Sequence, residues 1–96
     1  MRLDLAVPVA VESVLAGARP GIVRGLDACS MVVELADPPP IGSVISVHFA
    51  GDAGGLVVRA EVRRAYVVNA AGVALRAVGL EVLGAPIDGR ELMPWS

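Results

Sequence analysis

Apolar residues along this chain tend to alternate with polar or small ones, and valine is the commonest residue. The cleanest case is the segment Ser43 to Phe49, where Ile45, Val47 and Phe49 fall on one face and the intervening positions on the other. A period of two fits a half-buried strand, and β-branched side chains suit a pleated surface. The pattern therefore predicts an all-β protein.

Six segments carry this pattern, separated by Gly-, Pro- and Asn-containing turns. The predicted strands are Val7–Val14, Ile22–Ala28, Met31–Leu35, Ser43–Phe49, Leu56–Val68 and Val73–Leu83. Residues 16–21 are predicted as a turn, and the alternation slips at Arg63-Arg64, which predicts a β-bulge there. Six short strands with one inward face each favour a small antiparallel β-barrel, because closure removes exposed sheet edges.

With 96 residues, the chain has room for one domain. The barrel is expected over about residues 7–84 and a tail over residues 85–96. Asp88 and Glu91 have capping-box spacing, but Pro94 limits the tail to at most a short helical turn. Within that tail, Met93 and Trp95 are candidate interaction residues because aromatic anchors dominate protein interfaces.

Charge and composition exclude several classes of function. All eight basic residues are arginines and the net charge is −2, which argues against a nucleic-acid polymer as partner. One cysteine and one histidine leave a zinc or iron site without ligands. No segment is apolar for long enough to span a membrane, and the first residues do not resemble a secretory signal, so we expect a cytoplasmic protein.

Catalytic motifs are also missing from the sequence. It contains no phosphate-binding glycine loop, no Ser-His-Asp set and no paired carboxylates in a recognisable pattern. The chain is therefore expected not to be an enzyme and to need no cofactor.

The order of these features resembles the PilZ family, small six-stranded barrels best known in bacteria as receptors for cyclic di-GMP. The similarity extends over roughly residues 2–84 and is carried by Gly21–Asp27, Met31–Leu35, Pro40–Gly42, Val44–Phe49, Ala60–Arg63 and Ala77–Leu83. It implies a PilZ-like barrel and, in members that bind the dinucleotide, an Arg-x-x-x-Arg pair and an Asp/Asn-x-Ser-x-x-Gly turn.

This chain departs from both ligand motifs. Arg2 takes the first arginine position, but Ala6 stands at the second. Asp27 fits the acid of the turn, whereas Cys29 replaces its serine and Val32 its glycine. Each lost charged hydrogen bond is worth about 1.5–3 kcal/mol, so the resemblance implies a degenerate ligand site.

Three functions follow from this resemblance and its departures. The first is a regulatory or adaptor module that contacts a protein partner, with Val44, Val32 and the tail as candidate surfaces. The second is a cyclic di-GMP effector with a variant site, in which Arg19 or Arg24, expected near Asp27, joins Arg2. The third is a self-associating structural barrel, which outward-facing Val23, Val44 and Val57 would support if they formed one patch.

Overall fold

The computed structural model of the protein describes residues 4–51, 55–85 and 87–88, with residues 68, 70, 87 and 88 through the backbone only. These residues form strands and turns and no helix, which confirms the all-β prediction. The short helical turn predicted as the most that the tail allows falls on residues 89–96, outside the described residues. The strands are β1 (Val7–Ser13), β2 (Gly17–Leu26), β3 (Ser30–Glu34), β4 (Val44–Phe49), β5 (Leu56–Ala70), β6 (Val73–Val82) and β7 (Ile87–Asp88).

Six of these strands close into an antiparallel barrel in the order β4-β1-β2-β3-β6-β5, and β5 returns to pair with β4. The closing ladder runs from Val44 opposite Glu61 to Phe49 opposite Leu56. The two-residue β7 pairs with the first residues of β5. The prediction of a small six-stranded β-barrel is therefore confirmed.

The core is filled by the alternating apolar residues of all six strands. Met31, Val33 and Leu35 of the β3 segment point inward, as do Ile45 and Val47 of β4, while Phe49 packs partly buried against the cluster. The remaining core residues are Val9, Val11, Val23, Val58, Ala60, Val62, Val78 and Leu80. The predicted bulge is present as a register shift between Val62 and Arg64.

The first turn lies earlier than predicted. Residues 14–16 form the turn, where the Ala16 N–H donates to Ser13 Oγ, and residues 17–21 belong to β2. Pro20 is tolerated because β3 pairs with β2 only from Ile22 onward, so this part of β2 has one neighbouring strand. A Cβ at Gly21 would lie 3.0 Å from Leu35 Cδ2, so glycine here leaves room for the core leucine.

Three valines predicted to face outward to solvent are buried instead: Val23, Val32 and Val57 are 0%, 6% and 2% exposed. Val23 faces the core opposite Val33 of β3, between the buried Gly21 and Gly25 of β2. Val44 is exposed as expected. The apolar patch of Val23, Val44 and Val57 that would support a self-associating barrel therefore does not form.

Candidate functional site

A groove of about 720 Å³ lies on the outer face of β3, β6 and β5. The turn between β2 and β3 lines one side through Asp27, Cys29 and Ser30, and Arg64 and Tyr66 of β5 line the other. Between them Val32 of β3 lies opposite Gly79 of β6. The groove thus combines an acidic turn, an apolar middle and an arginine.

Asp27 organises the β2–β3 turn. Its Oδ1 accepts the N–H groups of Cys29 at 3.0 Å and Ser30 at 2.9 Å, and both carboxylate oxygens accept the Ser30 hydroxyl at 2.9 Å. These bonds to the charged form, from the Cys29 N–H above all and then from the Ser30 hydroxyl, hold the pKa of the Asp27 carboxyl below its usual range. Asp27 therefore has the turn-forming role that an Asx-type bond predicts.

Ser30 supplies a serine hydroxyl to this turn, although the motif that the chain resembles has its serine at the position of Cys29. Cys29 is exposed and donates its backbone N–H to Asp27 Oδ1. The serine stands one residue later than in the motif that the chain resembles. An aspartate followed three residues later by serine is itself a local hydrogen-bonding pattern, and that signal would have identified Ser30.

Val32 causes no backbone strain at the position of the motif's glycine. It lies in β3, and among described residues other than glycine only Ala71 has a positive φ. Its side chain is buried on the outer face of the barrel, beside Gly79. The departure from glycine therefore changes the shape of the groove and not the course of the strand.

Tyr66 lies over Gly79. A Cβ built on Gly79 would come within 2.5 Å of Tyr66 Cε2 and 3.1 Å of its hydroxyl oxygen. Tyr66 is opposite Ala77 and Arg64 opposite Gly79 in the β5–β6 ladder, so Gly79 and Ala77 together leave space for the ring. The ring therefore fills the space that a side chain at position 79 would need.

The bulge in β5 places two arginines beside the groove. Arg63 bridges the two strands, with its Nε 3.1 Å from Glu61 Oε2 and its Nη2 paired with Glu81 Oε2. Arg64 also lines the groove, and it forms no ion pair with any described residue. Of the two, Arg64 is the cation available to a ligand, and sequence reasoning did not single it out.

The arginines proposed to join Asp27 lie elsewhere. Arg24 donates to Glu34 Oε1 from Nη2 at 2.8 Å and from Nε at 3.2 Å. Arg19 has its Nη1 3.7 Å from Asp37 Oδ2 and lines a second groove. Neither residue lines the groove of Asp27. Arg2, Met93 and Trp95 lie outside the described residues.

The second groove, about 540 Å³, is lined by Arg19, Phe49 and His48 among others. His48 Nε2 is buried and has no hydrogen-bond partner among the described atoms. A ligand in the groove does not reach this nitrogen without a movement of the ring, so we do not assign the groove a function.

One end of the barrel exposes a set of large apolar side chains. Because the barrel is antiparallel throughout, the β1–β2 turn, the β3–β4 loop and the β5–β6 turn all lie at the same end, which we call the hairpin end. Val14 and Leu15 in the first turn are 98% and 88% exposed. The other exposed apolar residues there are Ile41, Val44, Val67 and Val73.

The β5–β6 hairpin projects beyond the other strands at this end. β3 pairs with β6 only over Ser30–Glu34, apart from one bond from the Leu35 N–H to the Arg76 carbonyl. The ladder nevertheless continues to Ala70 opposite Val73. We call residues 64–76 the arm, a two-stranded ribbon with Tyr66, Val67 and Val73 partly or largely exposed.

Comparison with protein-family models, with curated proteins and with solved structures finds no match. Among the described residues, no group of His, Cys, Asp and Glu side chains is arranged to hold a metal ion. The same part of the chain has no helix long and apolar enough to cross a membrane.

The hydrogen bonds of Asp27 predict a pH dependence. Its lowered pKa means that the turn's contribution to stability is complete above about pH 4, the ordinary aspartate range, and is lost as pH falls through the lower folded value. Following the Asp27 carboxyl signal by NMR, we expect Ser30→Ala to raise its pKa and Ser13→Ala to leave it unchanged. An Asp27 signal that titrates identically in all three proteins would contradict this role.

The contact of Tyr66 with Gly79 predicts a coupling between them. Gly79→Ala destabilises the protein while Tyr66 is present, because the ring must move. In a Tyr66→Ala background the same change is neutral or stabilising by about 0.5–1 kcal/mol, the usual gain on removing a strand glycine. Urea unfolding of the four proteins measures the coupling, and equal effects of Gly79→Ala in both backgrounds would disprove it.

Proposed function

We propose that the protein is a non-catalytic, PilZ-like regulatory or adaptor module of the bacterial cytoplasm that acts by contacting another protein at the hairpin end. The observation that carries this proposal is the exposure of Val14, Leu15, Ile41, Val44, Val67 and Val73 at one end of the barrel. The opposite end also exposes apolar side chains, Val7, Leu26, Leu56 and Leu83, but these are only 38–49% exposed. Scattered exposed apolar residues are ordinary, whereas a set that includes the most exposed ones of the described chain is typical of an interaction site.

The energetics of these side chains favour a protein contact. Leu15 and Val14 are almost fully exposed, and burial of one such side chain is worth about 1.5–3 kcal/mol. A partner that covers several of them gains a large part of the binding energy there. The arm enlarges the contact surface, because both faces of a ribbon that projects from the barrel are accessible to a partner.

The test is site-specific photo-crosslinking in cells. A benzophenone amino acid at Leu15 is expected to form an adduct with one partner, identified by mass spectrometry, and the same probe at Leu56 is not. Leu56 is the matched control because it is 49% exposed and begins β5 at the opposite end of the barrel.

Binding of protein variants to the purified partner then shows which end of the barrel forms the contact. Leu15→Ser and Val67→Ser are expected to weaken it at least tenfold, the equivalent of about 1.4 kcal/mol each. Leu56→Ser should change it by less than about twofold. Equal crosslinking from both ends, or binding that neither hairpin-end variant weakens, would refute the proposal.

A second candidate function, a cyclic di-GMP effector with a variant site, is favoured by the groove that holds Asp27 and Arg64, an arginine without an ion pair among the described residues. Arg64 could supply one bidentate phosphate contact. Against it, Arg24 is held by Glu34 and Arg63 by two glutamates, so the described part of the groove offers one free arginine for a ligand with two phosphates.

Calorimetry decides between the two functions. We expect no saturable heat when cyclic di-GMP is titrated to high micromolar concentration. Saturable binding that Arg64→Ala weakens tenfold or more, and that Arg59→Ala leaves intact, would establish the second function in place of the first. Arg59 is a suitable control because it is exposed on the same strand and does not line the groove.

A further inference from the structure

Within the part of the chain that the structure describes, the second half of β5 has a free backbone edge. β4 pairs with β5 over Leu56–Glu61, and two further bonds join Val62 to Gly42 and Ser43. From Arg64 to Ala70, β5 pairs with β6 alone among the described residues. The opposite edge of this stretch is therefore open to another strand.

The turn of the arm fixes which backbone groups face that edge. Ala71 and Gly72 have φ values of 50° and 79°, which is the geometry of a two-residue type I′ hairpin. In such a hairpin the flanking residues Ala70 and Val73 bond to each other, and the direction of the backbone groups alternates along the strand. The N–H and C=O groups of Ala65, Val67 and Asn69 accordingly face away from β6.

The charge of the arm limits which partner fits. Residues 64–76 contain Arg64 and Arg76 and no acidic residue, in a chain whose net charge is −2. Neither arginine forms an ion pair within the described residues. A second copy of the arm would bring like charges together, whereas an acidic segment would be attracted.

We propose that the free edge of β5 binds an extended acidic peptide segment of the partner protein as an added strand. The inference rests on the proposed function, since it names the chemistry of a partner at the hairpin end. Edge addition gives affinity through main-chain hydrogen bonds, and alternate side chains give specificity. Acidic residues of the added strand would lie beside Arg64 on one face of the sheet, and the alternating apolar residues beside Val67 on the other.

The probe is a short fluorescein-labelled peptide of alternating glutamate and valine, compared with one of alternating lysine and valine. We expect the full-length protein to bind the acidic peptide at least tenfold more tightly, measured by fluorescence anisotropy. Hydrogen exchange followed by NMR should show new protection at the amides of Ala65, Val67 and Asn69. An acidic peptide methylated on the amide nitrogens that face β5 should not bind.

Three protein variants distinguish edge pairing from general charge attraction. Arg64→Glu is expected to weaken binding of the acidic peptide about tenfold, and Arg59→Glu, a matched reversal on the first half of β5, to weaken it by less than about twofold. Val67→Pro removes one edge donor and should abolish binding, with circular dichroism to check the fold. The methylated peptide keeps the test informative if this variant does not fold.

Equal binding of the lysine and glutamate peptides, or binding without protection at the three amides, would overturn the inference. So would a dimer, detected by light scattering, that Val67→Pro dissociates, because the occupant would then be a second copy. If Leu15 crosslinks to a partner while the acidic peptide does not bind, the proposed function stands and this inference alone fails.

Discussion

The structure depends on β5, which pairs with β4 in its first half and with β6 in its second. The first ladder closes the barrel and allows the inward valines to be buried around it. The bulge between Val62 and Arg64 divides the two halves. Because β5 is much longer than β4, the part of β5 beyond β4 extends past the closing ladder. Together with the turn and the first residues of β6, this part of β5 forms the arm. Barrel closure and the open edge of the arm are thus consequences of one strand.

The groove on the outer face arises from the same strand arrangement. The bulge turns Arg63 toward Glu61 and Glu81, and Arg64 and Tyr66 then follow opposite Gly79 and Ala77. Small residues on β6 give the tyrosine ring its place, and the bonds of Asp27 hold the neighbouring turn. Arg64 and Tyr66 of the arm line the groove, so an occupant of the groove and a strand added at the β5 edge would lie next to each other near Tyr66.

Strict alternation made much of the fold predictable. In the β3 and β4 segments one face carries most of the large apolar residues, so the strands and the inward Met31, Val33, Leu35, Ile45 and Val47 were predicted correctly. Val32, on the other face of β3, was predicted to be exposed and is buried. Alternation was insufficient at Val23 and Val57, because Ile22-Val23 and Leu56-Val57-Val58 are apolar on both faces. The glycines and proline of residues 17–21 resemble a turn, although in the barrel these residues belong to β2 and Gly21 makes room for Leu35. Asp27 was identified because it fits the acid of the turn motif that the chain resembles, whereas Arg64 was missed because the groove joins residues far apart in sequence.

The most direct test of this account is native-state hydrogen exchange of the free protein, resolved by residue with NMR. The account predicts strong protection of the Val62 amide, which donates to the Ser43 carbonyl at 2.9 Å in the closed barrel. It predicts fast exchange at Ala65, Val67 and Asn69, whose amides face the open edge. Strong protection of those three amides, or fast exchange at Val62, would contradict a closed barrel with a free β5 edge.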